Sequence, residues 1–428
     1  MKYFKTDGIR GEAYTEVTLS LAYKIGLFLS FVDKPIIVGI DPRESSEELA
    51  LAVIKGLKRH KNVKYAGVIP TPGLMYYSLN NKTIAVMITA SHNQYKDNGI
   101  KIIEDGHKIS KEFINQIEKF IDKNNDIIYK DVFDRSKLQI DKEIIDSYFD
   151  FISERMPEFR SNVVFDGANG AYSHILKKLF NSNSLINCEP NGKNINYECG
   201  STAPSMLINT VKLRQADIGI AFDGDGDRIC VVDRFNRIYE GDLLTFIFAK
   251  NLNDNNLLKS KTVVFTEVVN PGILNRVTDL GMYYIIVEIG DQNIYTVLEN
   301  GYTIGGEASG HIINKNILPF GDGLANALEL IKLLKIENKK IHEYLFGIKM
   351  YSSKKINLIM EPEKFNLSKI TKFKLDKFTK KKNITLITRK SGTEKMVRLF
   401  IYQPTNKGLS RNLNKIVRMI KDDTNKIL

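Results

Sequence analysis

Three times along the chain a short β-branched run ends in a glycine or acidic turn and gives way to a helical pattern. "PIIVGID" (35–41) predicts a buried strand, "SSEELALAVIKGLKRH" (45–60) a helix opened by a serine cap, and "TIAVMITA" (83–90) another strand. The order returns in "NVVFDGANGAYSHILKKLF" (162–180), then in "ADIGIAFDGDGDRICVVD" (216–233), two strands around an acidic loop. It returns again in "KTVVFTEVVN" (261–270), "YYIIVEIGD" (283–291) and "YTIGGEASGH" (302–311). Strands apolar on both faces need helices on both faces, and strand–helix alternation puts them in parallel or mixed sheets. The chain is therefore predicted to be α/β, with three similar α/β domains and mixed sheets. From about residue 350 the pattern changes to "KKINLIM", "ITLITRKSGTE" and "MVRLFIYQ" before a terminal helix, a smaller C-terminal α+β domain. Expected divisions are 1–152, 153–246, 247–350 and 351–428.

Length agrees, because 428 residues exceed what one ordinary core holds. The net charge of +12 suggests an acidic or phosphorylated partner, but the lysines are spread along the chain. Their densest run, "KFKLDKFTKKKN" (372–383), reads as a solvated loop before the strand-like "ITLIT". No interleaved aromatic–basic motif occurs, which argues against a nucleic-acid partner. Cys188, Cys199 and Cys230 match neither a zinc site nor a disulfide scaffold, and a reduced, cytoplasmic setting fits them. The first ten residues already contain "KTDGIR", so no secretory leader is expected. "LSLAYKIGLFLSFV" is broken by Lys24 and too short for a bilayer, which leaves a helix packed on a sheet and no membrane partner.

Four stretches carry chemistry. "DGDGDR" (223–228) alternates Asp223, Asp225 and Asp227 with glycine, so three carboxylates converge and repel unless a cation neutralises them. An all-oxygen set suits Mg²⁺ or Ca²⁺. An EF-hand is excluded, since Arg228 stands where glycine, and Arg234 where glutamate, would be required. "RKSGTE" (389–394) offers the Arg389 fork with Ser391, Gly392 and Thr393, hydroxyls and backbone N–H groups that could cradle an anion. "GGEASGH" (305–311) sets Glu307, Ser309 and His311 at alternate positions; if extended, all three project from one side and suit sugar hydroxyls. In "TASHNQYKDNGIK" (89–101), Ser91 either caps a turn or presents a hydroxyl that carries a group. The chain has neither a Walker loop nor a kinase glycine loop, so a phosphate stored on Ser91 is the economical phosphoryl source.

Taken together, these motifs resemble the α-D-phosphohexomutase family over essentially the whole chain, with "KTDGIRG", "FDGANG" and "CGST" as supporting segments. The resemblance implies four domains around a central cleft, and a phosphoserine at Ser91 whose oxygen joins Asp223, Asp225 and Asp227 on one Mg²⁺. It implies that Arg10, His92, Lys101 and Arg228 surround the transferring phosphate, with Lys101 and His311 as acid/base candidates. Glu307 and Ser309 would grip sugar hydroxyls, while Arg389, Ser391, Gly392 and Thr393 would clamp the phosphate not being transferred. The implied reaction interconverts glucosamine 6-phosphate and glucosamine 1-phosphate, with glucosamine 1,6-bisphosphate as intermediate and activator. The implied partner is a small-molecule sugar phosphate, and a homodimer is the assembly considered. Mannose and glucose phosphates are the alternative substrates, and a non-catalytic sugar-phosphate binder is the rival class. Departures from the family pattern are Lys5, Gln94, Ala308 and Lys395, and "EIGDQ" (288–292), where Glu288 and Gln292 replace two basic residues.

Overall fold

The strands predicted from the apolar runs form four sheets in a computed structural model that describes residues 2–5, 8–130, 132, 134–158, 162–360, 362, 365–390 and 395–424. The first sheet contains β1 (Ile9–Glu12), β2 (Ile36–Ile40), β3 (Val63–Val68), β4 (Ile84–Ile88), β5 (Asp97–Glu104) and β6 (His107–Lys108). Its order is β1-β5-β4-β2-β3, with β6 paired to β5. β2 runs parallel to β3 and β4, whereas β5 is antiparallel to β4 and β1. Every residue of β2 and β4 is buried, so these runs are apolar throughout instead of alternating.

The second sheet holds β7 (Val163–Asp166), β8 (Leu185–Ile186), β9 (Ile218–Phe222), β10 (Ile229–Asp233) and β11 (Ile238–Tyr239), ordered β11-β10-β9-β7-β8. The third holds β12 (Thr262–Thr266), β13 (Tyr283–Val287), β14 (Ile304–Gly306) and β15 (Ile312–Asn314), ordered β13-β12-β14-β15. Both are mixed: β7 is parallel to β8 and β9, and β12 to β13 and β14, while β10, β11 and β15 pair antiparallel. The fourth is an antiparallel trio of β16 (Ser352–Ile359), β18 (Met396–Gln403) and β17 (Thr385–Lys390).

Two local expectations change. Ser45 makes no side-chain cap for the helix Ser46–Gly56; its hydroxyl accepts from Asn98 Nδ2 at 2.8 Å, a bond between elements that competes with local capping. The lysine-rich run is not a loop but most of the helix Lys369–Lys382. Ser368 Oγ accepts from the N–H of Thr371 at its start, and Asn383 closes it in the left-handed conformation. Lys380, Lys381 and Lys382 fall in the last turn, where positive charge complements the exposed carbonyl dipoles.

One apolar core continues from Ile37 and Tyr77 of the first unit through Phe165 and Phe222 of the second to Phe265 and Leu328 of the third. The other face of the first sheet has its own cluster around Ile36, Val38 and Val86. The fourth unit has a separate core of Leu358, Val397, Leu399 and Ile416. Within the large core the hydroxyls of Tyr148 and Tyr172 each donate to Asp322 at 2.8 Å, and Asp322 also caps the helix Gly323–Ile336. Among the described residues no helix is long and apolar enough to cross a membrane.

Candidate active site

Residues that follow the carboxyl ends of parallel strands build the site, as is usual for open α/β sheets. Asp41 follows β2, Ser91 lies just beyond β4, Asp223 follows β9, and Glu307 follows β14. Ser91 caps nothing. It holds φ +53, a conformation uncommon for a non-glycine residue, and its buried hydroxyl donates to Asp223 Oδ2 at 2.7 Å.

The surroundings force that backbone. Arg43, its side chain fully buried, ion-pairs with Asp41 at 2.8 Å and donates to the carbonyls of Ser91 at 2.8 Å, Asn93 at 2.9 Å and Gln94. Asn196, from the second unit, donates to the same carbonyls of Ser91 at 2.8 Å and Asn93 at 2.9 Å. Gly224 completes the contact, since a Cβ there would lie 2.6 Å from both the Ser91 carbonyl oxygen and Asn196 Nδ2. Thr71 makes the reverse crossing, its Oγ1 donating to Asp225 Oδ2 at 2.7 Å and its N–H to the Asp225 carbonyl at 2.8 Å. Arg43, Thr71 and Asn196 were not singled out in the sequence; the D-x-R at the end of a buried strand is the one signal that could have flagged Arg43.

The three aspartates are buried, with one ligand-type atom from each within 4.8 Å of the others. Lys101 Nζ lies 2.8 Å from Asp225 Oδ2 and 3.1 Å from Asp227 Oδ2. Arg228 Nε is 3.9 Å from Asp223 and 3.7 Å from Asp227. Burial, then repulsion from Asp227 and Asp225, drives the Asp223 carboxyl well above the usual carboxylate range. Burial pushes Asp227 the same way, but Lys101, His311 and Arg228 outweigh it and hold that carboxyl well below its usual range. Oδ1 of Asp225 and Oδ1 of Asp227 are buried without a hydrogen-bond partner among the described residues. Crowded buried carboxylates with spare oxygens are the donor set a hard divalent cation takes, so the residues fit a metal.

His92 sits next to the serine hydroxyl, Nδ1 to Oγ 3.4 Å; Arg228, then burial and Arg10, lower it to about 2 and keep it neutral. His311 reaches Asp227 with Nδ1 and Asp291 with Nε2, both at 3.7 Å. Burial opposes its charge, but Asp227, Asp291 and Glu307 raise it to about 9.

The expectation that Glu307, Ser309 and His311 share one extended face is corrected. The segment is a tight hairpin between β14 and β15: the Glu307 N–H donates to the His311 carbonyl at 2.9 Å, and the Gly310 N–H to the Glu307 carbonyl at 3.0 Å. Buried Glu307 accepts from the Gly290 N–H at 2.8 Å and from exposed Ser309 at 3.0 Å, while His311 points toward the aspartate loop. The hairpin is fastened there by the Ile229 N–H donating to the Gly310 carbonyl at 3.1 Å.

A cavity of about 1060 Å³ is lined by Lys101, Asp227 and His311 at one part of its wall and by Arg389, Lys390 and Arg398 of the fourth unit at another. Ser391, Gly392 and Thr393 lie outside the described residues.

This fold and site define a phosphohexomutase, and the chain belongs to the phosphoglucomutase/phosphomannomutase family: its alpha/beta/alpha domain I matches residues 1–127, domain II 144–236 and domain III 240–351. Relatives along nearly the full length sharpen this. Phosphoglucosamine mutase of Anoxybacillus flavithermus is 35% identical, covering 98% of this chain and 99% of that protein. Phosphoglucosamine mutase of Fusobacterium nucleatum is 34% identical, covering 99% and 100%. Among solved structures, a phosphoglucomutase/phosphomannomutase family protein from Burkholderia thailandensis superposes with TM-score 0.78 at 22% identity, covering 98% of this chain and 97% of that one. N-acetylphosphoglucosamine mutase of Aspergillus fumigatus, solved with GlcNAc-6P and magnesium, gives 0.67 at 16%, covering 99% and 96%.

Proposed function

We propose that this enzyme interconverts glucosamine 6-phosphate and glucosamine 1-phosphate. One observation carries the reading: a serine hydroxyl lies 2.7 Å from the first of three clustered aspartates, beside a cavity that also reaches Arg389. Near-full-length likeness to phosphoglucosamine mutases favours the amino sugar over glucose or mannose phosphates.

In the first transfer, a free hydroxyl of the bound hexose monophosphate attacks the phosphorus carried by Ser91. The bond from phosphorus to Oγ breaks, and the sugar becomes a 1,6-bisphosphate. Lys101, when neutral, takes the hydroxyl proton, and His311, held charged by Asp227, Asp291 and Glu307, is the candidate that gives one back to the departing oxygen. In the second transfer the Ser91 Oγ gives up its proton and attacks the other phosphate of the reoriented sugar; the bond from that phosphorus to the sugar oxygen breaks, the oxygen takes up a proton to become a hydroxyl, and the phosphoserine is regenerated as product leaves. Asp223, Asp225 and Asp227, with the phosphoserine, would hold Mg²⁺, which supplies charge neutralisation when bound. Arg10, His92 and Arg228 surround the transferring group; His92, neutral, serves as a hydrogen-bonding partner of Oγ. Glu307 and Ser309 hold sugar hydroxyls, and Arg389 with Ser391, Gly392 and Thr393 clamps the distal phosphate. Positioning and charge neutralisation supply most of the acceleration; a placed acid/base adds about 10²–10⁴-fold. Glucosamine 1,6-bisphosphate would prime an unphosphorylated enzyme. The four units, divided near 152, 246 and 350, would each contribute one motif. Cys188, Cys199 and Cys230 are buried and free, with thiols raised to about 12 by burial first, consistent with work in a reducing cytoplasm.

Ser91→Ala should reduce turnover to background and remove the phosphate that mass spectrometry finds on the Ser91 peptide. Full activity in that variant refutes the scheme, and parallel assays of glucosamine, glucose and mannose 6-phosphates decide the sugar.

A further inference from the structure

The third unit lines the cavity with carboxylates that the phosphoryl-transfer scheme does not use. Glu267 follows β12 and Glu288 follows β13, adjacent parallel strands, and both residues line the cavity. The N–H of Glu267 donates to the carbonyl of Val287 at 2.9 Å, which sets the two loops side by side. Asp291, a third acid on this wall, is already engaged by Lys108, Nζ to Oδ1 2.7 Å. Neither Glu267 nor Glu288 makes a side-chain hydrogen bond or ion pair among the described residues. Two cavity-lining residues thus carry carboxylates with no partner among the described residues.

Two further observations give these acids a ligand. The loop that carries Glu288 holds the sugar-binding hairpin directly, through the Gly290 N–H to Glu307 Oε1 bond of 2.8 Å, so a substituent beside the sugar hydroxyls comes within reach of that loop. The same cavity is basic where Arg389, Lys390 and Arg398 of the fourth unit contribute. Acids from the third unit and Arg389, Lys390 and Arg398 from the fourth, lining one cavity, match a zwitterion: phosphate toward the arginines, ammonium toward the acids. A neutral-hydroxyl hexose phosphate would leave the acids without a counter-charge, and their field would weaken its phosphate binding.

We propose that Glu267 and Glu288 recognise the ammonium group of an amino-sugar phosphate and set the enzyme's preference for it over the corresponding 2-hydroxy sugar. The assignment rests on the mutase reading above. Glu288 is exposed at the cavity rim, so replacing it should leave folding intact.

The test compares kcat/KM for glucosamine 6-phosphate with that for glucose 6-phosphate, using an inhibition constant for the latter where its turnover is too slow. In Glu288→Gln the ratio should fall about 10-fold, and in the Glu267→Gln/Glu288→Gln double variant up to about 100-fold, the size expected when hydrogen bonds to a charged group are lost. Glu288→Asp should retain most of the preference, and thermal melting should show the single variants folded. An unchanged ratio in folded Glu288→Gln and in the double variant overturns the assignment, as does an equal loss on both sugars. If the wild-type enzyme turns over neither substrate, the mutase reading itself fails and the assignment falls with it; mutase activity with an unmoved ratio sinks this assignment alone.

Discussion

The junction between the first two units and the attachment of the fourth unit are built in opposite ways. At the junction, Ser91, Arg43, Asn196, Thr71 and Asp225 cross-bond through buried groups, on the margin of a core shared by three units. The fourth unit has its own core and meets the third through a few polar contacts: Asn270 Nδ2 to the Tyr351 carbonyl at 2.9 Å, the Tyr351 N–H to Asn270 Oδ1 at 3.0 Å, and the Tyr402 hydroxyl to the Val268 carbonyl. Where bonds break and form, atoms must be held within fractions of an ångström. On the proposed scheme the fourth unit grips and releases a phosphate as the sugar turns, and a lightly attached unit can move without disturbing the chemistry.

That contrast can be broken at its strong side. Arg43→Met keeps the bulk of the side chain but leaves Asp41 a buried charge without its counter-ion, the Gln94 carbonyl without its side-chain donor, and the Ser91 and Asn93 carbonyls with Asn196 alone. A loss of about 3–5 kcal/mol in urea unfolding is expected, together with poor phosphorylation of Ser91. A small stability change would mean that the loop does not depend on this arginine. On the side of the fourth unit, Arg389→Lys keeps the charge and loses the planar fork, so KM should rise about tenfold with a smaller change in kcat; equal falls in kcat and kcat/KM would place Arg389 in the transition state instead. The smallest effect is expected for Asn270→Ala, which removes the paired bonds to Tyr351. Here kcat and KM should shift together by a few-fold, while phosphorylation of Ser91 by the bisphosphate stays normal. Loss of that phosphorylation would show the two regions to be coupled.

Much of this was legible in the amino-acid sequence. The fully buried strands β2, β4, β9 and β12 read directly as apolar runs, because neither face of them meets water. The aspartate loop was legible because its carboxylates are neighbours in the chain. Arg43, Asn196 and Thr71 were not, since they act on partners 48, 105 and 154 residues away, and no local pattern records such pairings. Whether the residues of "GEASGH" share a face was open in the sequence, because alternation of polar side chains looks alike in a strand and in a tight turn. The helix Lys369–Lys382 was hidden by its lysines, whose exposed heads masked the buried Thr371 and Leu375 on its inner side.

The knot of Tyr148, Tyr172 and Asp322 has a consequence for how the chain can be divided. Its members come from three segments on either side of the aspartate loop, and all three are fully enclosed. Excising any one segment would strand a phenol or a carboxylate in the dry interior, so a truncated protein ending ahead of Asp322 should be insoluble. A cut near Lys349 leaves that knot whole and severs the Asn270–Tyr351 and Tyr402–Val268 bonds instead, so the remaining piece should survive expression on its own, competent to bind a cation but unable to retain a sugar phosphate.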